Sequence, residues 1–189
     1  MNGLIDDGFT EEKINSIIYL MARPNRQHLR IQYNICRIFN DYFKNKNKKC
    51  EAVSEDEIII NKDNKIIPDV LVYCYDCDEN DNDNDNSFDL PLIVVEVLSK
   101  STRKKDLIVK MKKYAELGVQ EYWIADYNSS VLDIYILENG QYDFKFSCGI
   151  DDDNTDEHEE TNKDLVPEFA PALFPDMIVK SEDVFYSVI

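Results

Sequence analysis

Two short apolar runs in the middle of the chain each carry a single carboxylate. Residues 66–72 contain Asp69, and residues 92–98 contain Glu96. Runs of this length that are rich in β-branched residues predict buried strands. A carboxylate in a buried strand costs free energy unless a partner compensates its lost hydration. The pattern therefore predicts two core strands that share a ligand, most simply a divalent cation.

Apolar residues at helical spacing predict three helices, over residues 10–21, 25–43 and 102–117. Thr10, Asn25 and Thr102 have side chains typical of helix N-caps. Acidic residues after Thr10 suit the positive end of a helix dipole. Gly118 is a typical C-terminal cap and would end the third helix. Each helix thus has a predicted start or end signal of its own.

Further strands are predicted over residues 50–53, 57–60, 121–127, 131–137 and 142–146. The last two would form a hairpin around Asn139-Gly140, a favoured turn sequence. A helical crossover over residues 102–117 would make its flanking strands parallel. We therefore expect an α/β protein with a mixed sheet and helices packed on it, followed by a turn-rich, proline-rich tail at residues 165–189.

The net charge of −17 at pH 7 is concentrated in two segments. Residues 76–89 and 151–160 hold seven acidic residues each and no Lys or Arg, so the rest of the chain carries −3. Residues 100–117 are basic, with seven Lys and Arg against two acids. The total charge therefore does not exclude a nucleic-acid partner.

Other properties of the chain predict a cytoplasmic protein without a membrane segment. No apolar stretch approaches the length of about 18 residues that a membrane helix needs. The N-terminus has no basic residue before an apolar run, which argues against a signal peptide. The five cysteines lack the spacing of a disulfide framework, which suits a reducing compartment, and the Cys74/Cys77 pair has no typical metal or redox context.

The residues near the two strands leave alternatives open. If the strands pair as a wide hairpin, Asp69 and Glu96 can hold one cation, whereas on an edge strand they would face solvent. Lys110 lies at the margin of the apolar face of the third helix, one turn after Asp106. Its ammonium could reach the sheet edge, or the two residues could form an exposed ion pair.

A histidine and several arginines mark the start of the second helix. His28 lies beside the predicted buried face, where it could be a packed residue or a site residue. Arg26 and Arg30 flank it and would suit phosphate contacts or a solvated surface equally.

Several motifs occur in an order that resembles the Uma family of restriction-type endonucleases, in the PD-(D/E)XK nuclease superfamily. They are Pro68-Asp69, Glu96 within residues 94–99, residues 101–106, Lys110 with Tyr114, and residues 118–123. The resemblance runs from about His28 to Leu137 and more weakly through the tail. It implies a single domain over residues 1–189, with a restriction-endonuclease-like core at about 25–147 and a central mixed sheet flanked by helices.

The resemblance also implies a reaction, which is Mg²⁺-dependent hydrolysis of phosphodiester bonds in DNA, with Mn²⁺ as a substitute. Asp69 and Glu96 match the metal-binding acids of the family. Most of the superfamily has a lysine two residues after the glutamate, where this chain has Leu98. In the Uma group the next helix supplies that lysine, and Lys110 fills the position. The predicted catalytic residues are thus Asp69, Glu96 and Lys110.

His28 and Asp106 are further candidate site residues, and Arg26, Arg30 and Arg103 are candidates for contacts with the substrate. A homodimer would allow both DNA strands to be cut. The main alternative is a catalytically silent member of the same fold that binds nucleic acid or protein. An acidic DNA mimic is a third hypothesis, but 14 acids confined to two segments do not form a charged face.

Overall fold

The computed structural model describes residues 10–21, 23–75, 90–99, 105–150 and 165–188. Its strands are β1 (Thr10–Ile14), β2 (Ile17–Met21), β3 (Cys50–Ser54), β4 (Ile58–Asn61), β5 (Asn64–Ile66), β6 (Val70–Cys74), β7 (Ile93–Val97), β8 (Glu121–Asp126), β9 (Val131–Glu138), β10 (Gln141–Gly149), β11 (Leu165–Val166), β12 (Glu168–Phe169) and β13 (Val179–Lys180). Its helices are α1 (Arg26–Lys46), α2 (Met111–Leu117) and α3 (Ser181–Val184), and a π-helical segment (Lys105–Lys110) leads directly into α2.

A seven-stranded mixed sheet forms the centre of the fold, in the order β11-β10-β9-β8-β7-β6-β3. Strands β7 and β8 run parallel, as expected for strands joined by a helical crossover. Strand β6 pairs antiparallel with β7. A four-stranded sheet (β2-β1-β5-β4) and the short β12-β13 pair complete the architecture. The predicted mixed α/β fold is confirmed.

Each face of the main sheet has its own covering layer. On one face, α1 packs Ile35 and Phe39 against Trp123 of β8, together with residues of the C-terminal segment. On the other face, Tyr114 of α2 and Ile14 of β1 belong to a second apolar cluster with residues of β6, β7 and β8. Apolar burial of this kind contributes about 25 cal/mol per Å². The sheet is therefore buried on both sides, which explains its nearly continuous apolar strands.

Local signals that the sequence showed are present in the folded chain. The side chain of Asn25 accepts a hydrogen bond of 2.8 Å from the backbone N–H of His28 and caps α1. Gly118 ends α2 with a φ of 84°, in the left-handed region that favours glycine. Asn139 and Gly140, with φ of 52° and 80°, form the turn between β9 and β10. The predicted helix start at Thr102 lies outside the described residues.

The helix predicted over residues 10–21 is wrong, because this segment forms the β1-β2 hairpin. Asn15 and Ser16 make its turn with φ of 51° and 66°. The backbone N–H of Ser16 donates to the carbonyl of Asp63 at 2.9 Å, so a distant loop stabilises the turn. The pairing with β5 and the burial of Ile14 outweigh the helix-capping signal of Thr10 and its acidic neighbours.

The described residues also test the predictions for the cysteines, the C-terminal tail and a membrane segment. Cys50 and Cys74 are opposite each other on β3 and β6 and form a disulfide, which the cysteine spacing in the sequence did not predict. The tail at residues 165–188 packs on the core and buries Phe174 and Met177. The acidic segments 76–89 and 151–160 lie outside the described residues. Within the described part of the chain, no helix is long and apolar enough to cross a membrane.

Candidate active site

The two carboxylates of the apolar runs lie at the same level of the main sheet. In the β6-β7 pair, Val70 is opposite Val95. Asp69 directly precedes Val70 and Glu96 directly follows Val95, so the antiparallel register continues with Asp69 beside Glu96. Of the two arrangements that the sequence left open, the structure has the paired strands, and both acids lie at the same edge of the main sheet.

The Asp69 carboxylate contacts hydrogen-bonding groups of two neighbouring elements, the strand β7 and the helix α1. One oxygen, Oδ2, accepts the backbone N–H of Val97 at 2.6 Å. The other, Oδ1, lies 2.8 Å from His28 Nε2 and accepts from Gln32 Nε2 at 3.0 Å. Because His28 and Gln32 are four residues apart on α1, their side chains lie on the same face of the helix. They hold the carboxylate in a defined orientation beside β7.

Glu96 is almost completely buried, with 2% of its surface exposed. Its Oε1 accepts hydrogen bonds from Lys110 Nζ at 2.9 Å and from the Tyr114 hydroxyl at 2.6 Å. Burial, followed by the charge of Glu96, raises the pKa of Tyr114 well above its ordinary value. The Tyr114 hydroxyl therefore keeps its proton at neutral pH and remains a donor to the carboxylate.

Lys110 has 0% of its surface exposed, although a helical wheel places it only at the margin of the apolar face. It is the last residue of the π-helical segment that precedes α2. A π-helix closes i→i+5 hydrogen bonds, so the positions that follow it turn relative to a regular α-helix. A regular helical wheel therefore does not describe the direction of Lys110, and the burial of this residue excludes the exposed ion pair considered for it.

Sequence reasoning missed a third carboxylate at this site, which is completely buried. Glu12 has 0% of its surface exposed, and its Oε1 lies 2.7 Å from Lys110 Nζ. The same oxygen accepts the backbone N–H of Ile67 at 3.1 Å. Glu12 and Ile14 alternate inward along β1, and this period of two was a signal for the residue. The incorrect helix assignment concealed it.

Gln32 was also missed, although its position four residues after His28 on a predicted helix was a signal. The other candidate residues are less closely tied to this site. Arg26 and Arg30 are exposed on the first turns of α1. Arg103 lies outside the described residues, and the backbone of Asp106 belongs to the π-helical segment.

Asp69 and Glu96 together offer the carboxylate oxygens that a hard divalent cation prefers. Among the described residues, no group of three or more His, Cys, Asp or Glu side chains could hold a metal ion. Mg²⁺ commonly binds through one or two carboxylates and keeps several waters or substrate phosphate oxygens. Asp69 and Glu96 could therefore hold such an ion, with water in its remaining positions, whereas they could not hold an ion that needs a full cage of protein ligands.

The comparisons with known proteins show the fold of this chain and its family. A solved structure of a putative nuclease belonging to DUF820, from Anabaena variabilis ATCC 29413, superposes with a TM-score of 0.70 and 17% sequence identity, covering 98% of this chain and 95% of that one. The chain thus has the same α/β fold as that structure. Residues 6–170 match the Uma2 family, which is described as "Putative restriction endonuclease". The chain belongs to the Uma2 family. A comparison with curated proteins gives no match.

Proposed function

We propose that this protein is a metal-dependent endonuclease that hydrolyses phosphodiester bonds in DNA. In this proposal Asp69 and Glu96 hold Mg²⁺, for which Mn²⁺ can substitute, and Lys110 is the third catalytic residue. The observation that carries the proposal is the 2.9 Å contact between Lys110 Nζ and Glu96 Oε1, beside the strand end that carries Asp69. Membership of a restriction endonuclease family supports the same reaction class.

The chemistry divides between the metal and the side chains. When bound, a divalent cation supplies the positive charge that activates water at neutral pH and compensates charge on the phosphate. Lys110 adds a fixed positive charge where negative charge develops in the transition state. His28 and Gln32 orient Asp69, as partners of a metal ligand commonly do. In this proposal the carboxylates hold the cation, and the ammonium stabilises the charge that develops during hydrolysis.

The origin of the lysine in a helix is compatible with this chemistry. Leu98, two residues after Glu96, is 4% exposed and packs in the apolar cluster beneath α2. Lys110 reaches Glu96 from the helical layer that covers this face of the sheet, through a long and flexible side chain. Catalysis depends on where the ammonium lies and not on the strand or helix that carries it. The departure from the usual spacing therefore does not argue against activity.

The substrate would contact the surface around the start of α1. Arg26 and Arg30 are exposed near His28 and can contact phosphates without reading the base sequence. Arg103, near Lys110 in sequence, is a further candidate for contact with the substrate, and Asp106 is a candidate for the catalytic site itself. Cleavage of both DNA strands would require two copies of this site, which a homodimer would supply.

The experiment is a nicking assay on supercoiled plasmid with Mg²⁺ or Mn²⁺. We expect Asp69→Asn, Glu96→Gln and Lys110→Met each to lower the cleavage rate by about 100-fold or more, because each removes a charge that acts on the transition state. Lys112→Met is the matched control, since the Lys112 side chain on the same helix is 78% exposed. We expect it to cut at the wild-type rate.

Each result distinguishes a part of the proposal. Full activity of Lys110→Met with inactive carboxylate variants would contradict the role of Lys110 alone. A folded wild type that cuts neither plasmid, single-stranded DNA nor RNA would contradict the proposal as a whole. That result would favour a silent binding member of the fold, in which Lys110 only neutralises buried carboxylates.

A further inference from the structure

We propose that Glu12 is a positioning residue that holds Lys110 in place when Glu96 binds a divalent cation. The inference concerns the same site and rests on the proposed function for its kinetic test. Nothing in the motif pattern assigns Glu12, because the motifs begin later in the chain, at the second predicted helix. One ammonium group in this site contacts two buried carboxylates.

Lys110 lies between Glu12 and Glu96. Its Nζ is 2.7 Å from Glu12 Oε1 and 2.9 Å from Glu96 Oε1. The three residues are 0%, 0% and 2% exposed for Lys110, Glu12 and Glu96 respectively. Buried charges are stable only when they are paired and hydrogen-bonded, so this arrangement is strongly coupled. A change in one member must alter the environment of the other two.

Glu96 and Glu12 differ in what else they can do. Glu96 lies beside Asp69 at the strand ends and is a candidate metal ligand, whereas Glu12 reaches Lys110 from the β1-β2 hairpin. A divalent cation on Glu96 would repel the ammonium that contacts the same carboxylate. Glu12 offers Lys110 a second carboxylate, at 2.7 Å from its ammonium group. The lysine can thus remain in the site while Glu96 takes up a metal.

A second contact of Glu12 links the lysine to the other metal-binding acid. Glu12 Oε1 accepts the backbone N–H of Ile67, two residues before Asp69, at 3.1 Å. One oxygen therefore contacts both Lys110 and the segment that leads into Asp69. Such a shared contact fixes the distance between the ammonium and the Asp69 segment. Catalytic geometry commonly depends on partners of this kind, which do not touch the substrate.

The first test measures unfolding by urea and does not depend on activity. Lys110→Met leaves the Glu12 carboxylate without the ammonium that it contacts. We expect Glu12→Gln in that background to raise the denaturation midpoint, because it removes a buried charge. In the wild-type background, the same change should lower the midpoint. Opposite signs in the two backgrounds would show that the two residues are coupled.

The control is Glu121→Gln, a change of the same chemistry at another buried carboxylate that is 1% exposed and belongs to the strand β8. Glu121 accepts from Trp123 and Leu173, so its effect should be the same with and without Lys110→Met. A Glu12→Gln effect that is likewise equal in both backgrounds would overturn the inference, since Glu12 would then not act through Lys110.

The second test measures cleavage kinetics of the full chain. We expect Glu12→Gln to lower kcat by about 100-fold, as expected for loss of one preorganised charge, without a change in KM for DNA. The Mg²⁺ concentration for half-maximal activity should stay the same. On the Lys110→Met background, Glu12→Gln should lower kcat no further, because its effect passes through the lysine. Glu121→Gln should leave kcat unchanged.

The outcomes separate this inference from the proposed function. A rise in the required Mg²⁺ would make Glu12 a third metal ligand and overturn its role as a positioning residue. If wild type cuts DNA and Glu12→Gln cuts equally well, only the inference fails. If folded wild type cuts nothing, the proposed function fails and the kinetic role of Glu12 fails with it.

Discussion

The two faces of the main sheet each bury a carboxylate, but they give it different partners. On the face under α1, Glu121 accepts hydrogen bonds of 2.9 Å from Trp123 Nε1 and from the backbone N–H of Leu173. On the face under α2, Glu96 accepts from Lys110 Nζ at 2.9 Å and from the Tyr114 hydroxyl. The exposed fractions of Glu121 and Glu96 are 1% and 2%, so burial does not distinguish them.

The kind of partner distinguishes the two carboxylates. Neutral donors satisfy the oxygens of Glu121 and join strand β8 to the C-terminal segment at Leu173. Burial raises the pKa of Glu121 more than these hydrogen bonds lower it. The ammonium group of Lys110 donates to Glu96, and a second carboxylate, Asp69, lies beside Glu96 in the sheet. A buried carboxylate therefore indicates a functional site only when it lies beside charged groups that can also interact with a substrate or a metal.

The largest expected effect on stability comes from a change on the sheet face under α2. Lys110→Met removes the ammonium that both Glu12 and Glu96 contact and leaves two buried carboxylates close together. We expect a loss of about 3–5 kcal/mol in the free energy of unfolding at neutral pH, as for other broken buried ion pairs. Urea denaturation followed by circular dichroism measures it.

Lys112→Met is the control for this change, because Lys112 is exposed on the same helix and should alter stability by no more than about 0.5 kcal/mol. A loss for Lys110→Met as small as that of the control would show that the carboxylates do not depend on the ammonium. The coupled arrangement of Glu12, Lys110 and Glu96 would then be contradicted.

A smaller effect is expected on the opposite face. Glu121→Ala leaves the N–H groups of Trp123 and Leu173 without their acceptor in the core. We expect a loss of about 1–3 kcal/mol in unfolding free energy, which is typical for unsatisfied buried donors. Cleavage per folded molecule should remain at the wild-type level. A selective loss of activity in a fully folded variant would show that the two faces are not functionally separate.

The smallest expected effect is a pH dependence of stability on the same face. Because the pKa of Glu121 is raised from 4.5, the folded state binds its proton more readily than the unfolded state. The stability that this protonation contributes is fully present below pH 4.5 and is lost as pH rises through the folded pKa. The glutamine side chain of the Glu121→Gln variant does not titrate, so its stability lacks this contribution to the pH dependence.

Denaturation of both proteins between about pH 4 and about pH 8 measures the difference. Wild type should lose stability relative to Glu121→Gln as the pH rises, by at most about 1.4 kcal/mol per pH unit within the titration window. A constant difference across the range would contradict the raised pKa. An opposite slope would indicate that the hydrogen bonds to Trp123 and Leu173 outweigh burial.

Sequence reasoning found the parts of the candidate site that short-range patterns encode. Asp69 and Glu96 interrupt apolar runs, and a strand that carries one charge among β-branched residues is unusual enough to be noticed. Lys110 was found through its place in the family motif, since its position on a regular helical wheel left an exposed ion pair equally open. In the structure it is buried at the end of a π-helical segment, where a regular helical wheel does not apply.

Glu12 shows what short-range patterns could not provide. Thr10 and two acids form a plausible helix start, and the preference of a segment for helix or hairpin was decided by residues far along the chain. The hairpin turn is stabilised by Asp63 and Asn64 of the neighbouring loop and strand. This pairing turns the side chain of Glu12 inward, toward Lys110. The role of Glu12 therefore becomes visible only in the folded structure.

The sequence by itself determined the central strands, the capped start of α1 at Asn25, the end of α2 at Gly118 and the Asn139-Gly140 turn. These features depend on residues within one or two turns of each other, where hydrophobic period and backbone preference act directly. The tertiary structure alone decided the hairpin at residues 10–21 and the partners of the buried carboxylates. The reason is that a buried charge is stabilised by whatever the fold brings within hydrogen-bond distance, and sequence separation does not limit that choice.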